Sequence, residues 1–180
     1  QAKYHFPVAA LNDGKAAALA ELATGHLKGV TNGAALVLGS GLGGGIIING
    51  KLFQGSHFQA GELTFLLPLQ MEKLDPSLMQ ETTLSAIGLI TKVNEILASL
   101  DLKDGLLAFK AINAKKEAVY PIFETYCRNL AITILNLQTI FDMETFVLGG
   151  GISAQSILIE EVNRQFDKVH HEIDFIGKII

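Results

Sequence analysis

Five glycines stand within seven residues, at Gly39, Gly41, Gly43, Gly44 and Gly45, with Ser40 among them. After an apolar segment, such a run lets backbone N–H groups and one hydroxyl approach a phosphate closely. It suits equally a tight hairpin that packs without side chains. Gly39, Gly41 and Gly44 also fit G-x-G-x-x-G, a dinucleotide pattern that needs a helix directly after the loop. Here Ile46 to Ile48 follow, then Asn49-Gly50, a hairpin turn. A glycine-rich β-hairpin is therefore expected instead. A second cluster, Gly149-Gly150-Gly151, lies between an apolar run and a helical pattern. Ligands of open α/β sheets bind at such carboxyl ends of strands. Three glycines leave room there for a flat ring or a ribose; the alternative is a plain strand-to-helix turn.

Carboxylates supply the other chemistry. Asp13 ends one apolar run and opens a stretch of helix formers. It is expected to cap that helix. A carboxylate held there beside a cleft also accepts a proton from a hydroxyl nucleophile. Glu62 follows Ala60-Gly61 and Glu81 precedes a helical stretch. Their plain alternatives are a solvated loop residue and a charge favoured at a helix start. His170-His171-Glu172 has no partner at metal-ligand spacing and reads as a solvated helix end. Cys127 reads as a core residue. The sequence holds no Walker motif, no H-E-x-x-H and no G-x-S-x-G.

These groups need elements to position them. Residues 6–11 read as a buried strand, 12–14 as a turn and 15–23 as a helix. Residues 34–38 read as a second buried strand, with 46–48 and 51–53 forming a hairpin. Residues 55–69 look irregular. Helical spacing marks 82–100, 104–112 and 115–141, the last with a kink expected near Pro121. A strand over 145–148 leads to a helix over 154–170, with Ser153 as its cap. Buried strands alternating with helices give an α/β fold.

The 180 residues fit one domain, or one lobe of a larger protein. They are 49% hydrophobic and 18% charged, against about 25% charged on average, which excludes a disordered tail. The net charge of −4, with no basic run, argues against a nucleic-acid surface. One cysteine cannot form an internal disulfide, which fits a reducing compartment, and excludes a multi-cysteine zinc site. No run of 18 apolar residues is present, so no transmembrane helix is expected. The start, Gln1-Ala2-Lys3-Tyr4-His5, is neither a signal peptide nor a methionine start, so the chain is expected to be part of something longer.

Taken in order, four segments resemble one family. They are Asn12-Asp13-Gly14 with Ala16-Ala17-Ala18, the Leu38–Ile46 glycine segment, Asn49-Gly50-Lys51-Leu52 leading to Ala60-Gly61-Glu62, and Leu148-Gly149-Gly150-Gly151-Ile152-Ser153. The chain is identified as resembling the repressor–ORF–kinase (ROK) family of sugar kinases and sugar-responsive repressors. The resemblance implies a ribonuclease-H-like, actin-like ATPase lobe: an α/β unit with a mixed sheet flanked by helices. No Asp-x-Gly-Gly-Thr loop of the family's other lobe occurs. Residues 1–180 thus resemble the C-terminal lobe alone, and this fragment is expected to be inactive by itself.

The resemblance also implies roles. Asp13 matches the general base that takes the proton from a sugar hydroxyl attacking ATP. Asn12, Glu62 and Glu81 match sugar ligands, Glu81 in an E-x-x-x-S pattern with Ser85. Gly39, Ser40 and Gly41 match the phosphate turn, and Gly149, Gly150 and Gly151 the adenosine-side loop. Mg²⁺ arrives with ATP. Two departures stand out. The family's zinc- and sugar-binding histidine is Phe65 here, and residues 69–80 contain no cysteine, so a zinc-free member is expected. The implied activity is phosphorylation of a hexose or hexose derivative by a cytoplasmic, homodimeric kinase, with residues 115–141 as one candidate dimer face. The alternative is the sugar-sensing domain of a repressor.

Overall fold

Asn12, not Asp13, caps the first helix. Asn12 is extended (φ −61°, ψ 145°), and its Oδ1 accepts from the N–H groups of Gly14 and Lys15 at 2.9 and 3.3 Å. An asparagine satisfies free helix-start donors in this way. Asp13 thereby becomes the first residue of α1 (Asp13–Thr24), where its charge suits the helix N-terminus. The structure, a computed structural model, describes residues 10–66 and 83–173. The strand expected over 6–11 falls mostly outside these, and residues 10 and 11 are not strand.

Four strands form one sheet in the order β3-β2-β1-β4. They are β1 (Gly33–Leu38), β2 (Leu42–Ile48), β3 (Lys51–Phe53) and β4 (Thr145–Gly150). β1 runs antiparallel to β2 and parallel to β4. Leu38 pairs with Leu42, so the turn closes at 39–41 and Gly43, Gly44 and Gly45 belong to β2. The expected loop is shorter because α1 lies directly on these glycines. A Cβ on Gly45 would stand 2.4 Å from that of Ala18, and a Cβ on Gly14 would stand 2.5 Å from the backbone nitrogen of Gly44.

Four helices complete the described fold: α2 (Ala86–Ile96), α3 (Gly105–Asn113), α4 (Tyr120–Phe141) and α5 (Ser156–Ile173). α2 is shorter than its apolar spacing suggests. Ser85 caps it, its Oγ accepting from Gly88 N–H at 2.9 Å, and Ala98 leaves it with φ +50°. Pro121 starts α4 instead of kinking it, since its missing N–H has no acceptor to lose in a first turn. Ser153 does not cap α5. Its hydroxyl donates to the Gly150 carbonyl at 2.9 Å, inside the preceding turn. Among the described residues, no helix is long and apolar enough to cross a membrane.

Strand alternation divides the core between the faces of the sheet. Leu36, Leu38, Leu42 and Ile46 join Leu89, Phe123, Leu130 and Leu158 from α2, α4 and α5. Ala35 and Ile47 face Ala18 of α1 and Leu27 on the other side. α4 is mainly a core helix: it buries Phe123, Cys127, Leu130 and Leu137, while Ile140 stays exposed. Cys127 is fully buried as a free thiol, as expected. His170 differs from the solvated end expected of it. It stacks on Phe166 at 6.4 Å, and its Nε2 is shut off from solvent.

A charged cluster joins α4 to α5. The buried Glu161 carboxylate accepts from Tyr120 Oη and Arg164 Nε, both at 2.9 Å, and from Gln165 Nε2 at 2.7 Å. Arg164 also pairs with Glu124. Burial opposes the charge on Glu161. Hydrogen bonds from Arg164, Gln165 and Tyr120, with the Arg164 charge, outweigh it and hold the carboxyl below its ordinary value. Burial and then Glu161 push Tyr120 up to about 12.

Two stability measurements follow from this packing. Gly45→Ala should lose roughly 1–3 kcal/mol in a denaturant melt, as overpacking does. Gly39→Ala should stay within about 0.5 kcal/mol of wild type, because nothing lies within 4 Å of its Cβ position. A carboxyl with a lowered folded pKa stabilises fully above its unfolded value and loses that contribution as the pH falls. Stability should therefore drop below about pH 4.5. In Glu161→Gln that part of the acid slope should vanish from the same melts.

Candidate active site

Three segments meet at the carboxyl end of β1. The α1 N-terminus brings Asn12 and Asp13, the hairpin turn brings Gly39, Ser40 and Gly41, and a short turn brings Glu62. Together with Thr64 they line an open depression of about 200 Å³. The β2 backbone sets their separation. Gly14 rests on Gly44 from one side, and a Cβ on Gly61 would stand 3.2 Å from the Gly44 carbonyl oxygen. Gly61 also holds φ +83°, a left-handed conformation open to glycine. Glu62 is thus delivered to the same strand residue that seats the helix.

The hairpin turn is tied on both sides. Gly39 N–H donates to the Gly41 carbonyl at 3.0 Å, and the Gly39 carbonyl accepts from Ala86 N–H, at the start of α2, at 2.8 Å. Ser40 stands exposed at the tip. Asp13 is exposed too; its Oδ1 accepts from Gly14 N–H at 2.8 Å. The site therefore presents carboxylates that accept from hydroxyls, an amide that both donates and accepts, and a turn whose backbone is open to approach.

The second glycine cluster leaves the same edge of the sheet. Gly150 pairs with Leu38 across the parallel ladder. It has φ +100°, and a Cβ there would lie 2.2 Å from the Leu38 carbonyl oxygen. Gly149 remains in β4 and meets only ordinary contacts. Gly151 opens into a different cleft of about 360 Å³, shared with Asp101, Lys103, Leu106 and Gln155. Of the expected residues, Asn12, Asp13, Gly39, Ser40, Gly41 and Glu62 thus line one depression and Gly151 another, while Gly149 and Gly150 line neither. Glu81 lies outside the described residues. Phe65, in the histidine position, is 63% exposed.

The sequence reading missed two features. One is Lys15, treated as a helix former but only 2% exposed, whose Nζ donates to Glu62 Oε1 at 2.8 Å and to the Phe58 carbonyl. A lysine in a helix's first turn opposes the helix dipole, a signal that its charge is answered elsewhere. The other is the segment before α3. Buried Asn94 holds it by donating to the carbonyls of Leu102 and Asp104 at 3.2 and 2.9 Å. A polar residue within the α2 apolar stripe was the available sign. Among the described residues, no group of three or more His, Cys, Asp or Glu could hold a metal ion.

Comparison with known proteins gives the arrangement a context. A model of the ROK family matches residues 1–173. The chain is 30% identical to a glucokinase of Halalkalibacterium halodurans, over 89% of this chain and 54% of that protein. It is 30% identical to a β-glucoside kinase of Klebsiella pneumoniae, over 81% and 50% respectively. Its fold superposes with a TM-score of 0.81 on a ROK family protein of Streptococcus pneumoniae in complex with sucrose, at 29% identity over 93% of this chain and 56% of that one. The chain spans about half the length of the curated relatives it matches.

Asn12 combines a cap with a place in the depression, and the two are separable. Asn12→Ala should lose about 1 kcal/mol in unfolding free energy. Asn12→Ser, which restores an acceptor to the helix start, should recover most of that in the same melts.

Proposed function

The chain belongs to the ROK family, an actin-like α/β fold, and from that premise we propose that it is one lobe of an ATP-dependent kinase acting on a hexose or hexose derivative. The observation that carries this reading is the gathering of Asn12, Asp13, Ser40 and Glu62 in one depression. Kinase names among the relatives support it. In the full protein the second lobe closes over this depression.

Phosphoryl transfer depends mainly on positioning and on charge neutralisation. Asp13 takes the proton of the attacking hydroxyl. Its place on the first helical residue holds it at the depression, where Asn12 and Glu62, 3.5 Å apart, fix the sugar. The turn at Gly39, Ser40 and Gly41 receives the phosphates. Nothing lies within 4 Å of the Cβ positions of Gly39 and Gly151, so both leave room for a ligand against the backbone. Gly149, Gly150 and Gly151 bound the adenosine side. Mg²⁺ bound to the nucleotide neutralises phosphate charge during transfer. Phe65 offers no metal-binding atom where the family has histidine, which supports a zinc-free sugar pocket. Glu81 completes the proposed set of sugar ligands. The protein works in the cytoplasm, where ATP is available, as a homodimer.

The test is a coupled ADP-release assay on the full-length protein with a panel of hexoses, N-acetylated hexosamines and β-glucosides. One sugar should turn over. Asp13→Asn should lower kcat by about 10²–10⁴-fold, the range of general-base catalysis, while the sugar dissociation constant changes little. If a sugar binds without turnover and alters affinity for DNA, the protein is a repressor's sensor and Asp13 is only a sugar ligand.

A further inference from the structure

Glu62 does not reach the depression unaided. Its Oε1 is taken by Lys15 Nζ at 2.8 Å, while Oε2 stands 3.5 Å from Asn12 Nδ2. The lysine side chain is 3% exposed and the glutamate 25%. The same ammonium also binds the Phe58 carbonyl. Phe58 has φ +59°, a left-handed conformation uncommon outside glycine, so the 55–61 turn is held to a defined shape at the lysine. Lys15 is itself rigid: its N–H bonds the Asn12 cap, and its Cα stands 3.2 Å from the Cβ position of Gly45. One buried cation thus joins the helix start, the turn and the carboxylate.

We propose that Lys15 is a positioning residue that sets the sugar specificity of this site. It occupies one oxygen of Glu62 and aims the other, beside the Asn12 amide, at a single substrate hydroxyl. Being buried, Lys15 touches no substrate. An ionised carboxylate only accepts hydrogen bonds, so the hydroxyl met by Oε2 must donate. A sugar lacking that hydroxyl leaves a charged acceptor unanswered and is rejected. The inference rests on the sugar-binding reading above. Without Lys15, the partly exposed Glu62 swings to water, and the discrimination goes with it.

The experiment compares wild type, Lys15→Met, Glu62→Gln and the double variant in the full-length protein. Each is tested with the sugar it phosphorylates and with that sugar's mono-deoxy analogues. Isothermal titration supplies dissociation constants should turnover be absent. Methionine matches the length of the lysine stem, and thermal melts confirm folding. Glu62→Gln identifies the hydroxyl concerned: it is the one whose deoxy analogue is unaffected by the substitution. For the intact sugar, Lys15→Met should weaken KM or Kd by roughly 10- to 100-fold, the range of a charge-assisted hydrogen bond, with a smaller change in kcat. For the identified analogue it should change nothing beyond about twofold, and the double variant should be no worse than Glu62→Gln alone. Equal losses on every analogue would reduce Lys15 to a structural role and overturn the proposal, as would an unchanged specificity profile. Either result leaves the kinase reading standing if the sugar turns over and Asp13→Asn still lowers kcat as above. A wild-type protein that binds no sugar overturns both.

Discussion

Where α1 crosses the glycines of β2, the contact is made by backbone and the single methyl of Ala18. Gly14 meets Gly44, and Ala18 meets Gly45, at distances that leave no room for another carbon atom. Groups from two sides of the depression depend on this contact. It brings the helix start, with Asn12 and Asp13, to the level of the 39–41 turn. It also leaves the Gly44 carbonyl as the seat for Gly61, and so for Glu62. Glycine weakens a strand in isolation. Three in β2 are tolerated because the strand is covered on both faces, by α1 on one side and by Leu63 and the larger core on the other.

The parallel pairing of β1 with β4 is the second constraint. Parallel neighbours end at the same edge, so two glycine segments more than a hundred residues apart emerge side by side at Leu38 and Gly150. The crossover between them carries the helices that build the larger half of the core. One of these helices returns to the site, since the start of α2 donates to the Gly39 carbonyl. The 39–41 turn is thus fastened to the core rather than left as a free hairpin tip.

Buried charge serves two different ends. Glu161 lies between α4 and α5 with several donors around it, and no part of the depression involves it. It locks one helix against another. Lys15 and Glu62 form the other pair, only half hidden: the cation is inside and the carboxylate partly out. Burying one member and leaving the other at the rim keeps the carboxylate oriented while it can still meet a ligand. Desolvation is costly for both arrangements unless hydrogen bonds answer it, and both are answered.

The sequence alone determined most of the described elements and which residue types stand where chemistry could be done. Apolar runs and helical spacing marked β1, the β2–β3 hairpin, β4 and the helices, because period and turn residues are local properties. Asp13, Glu62 and the glycine clusters were legible as residue types at fitting spacings, and the order of four such segments carried the family resemblance. Tertiary structure decided what local rules could not. It made Asn12 the cap, because two acceptors competed for the same helix-start donors. It drew Gly43, Gly44 and Gly45 into a strand, because their purpose is a helix that sequence spacing does not display. It set Gly39, Ser40 and Gly41 in one depression and Gly151 in another, and it turned Lys15 from a helix former into the anchor of Glu62. These outcomes depend on which distant segments touch, and contact between distant segments is a property of the packed chain.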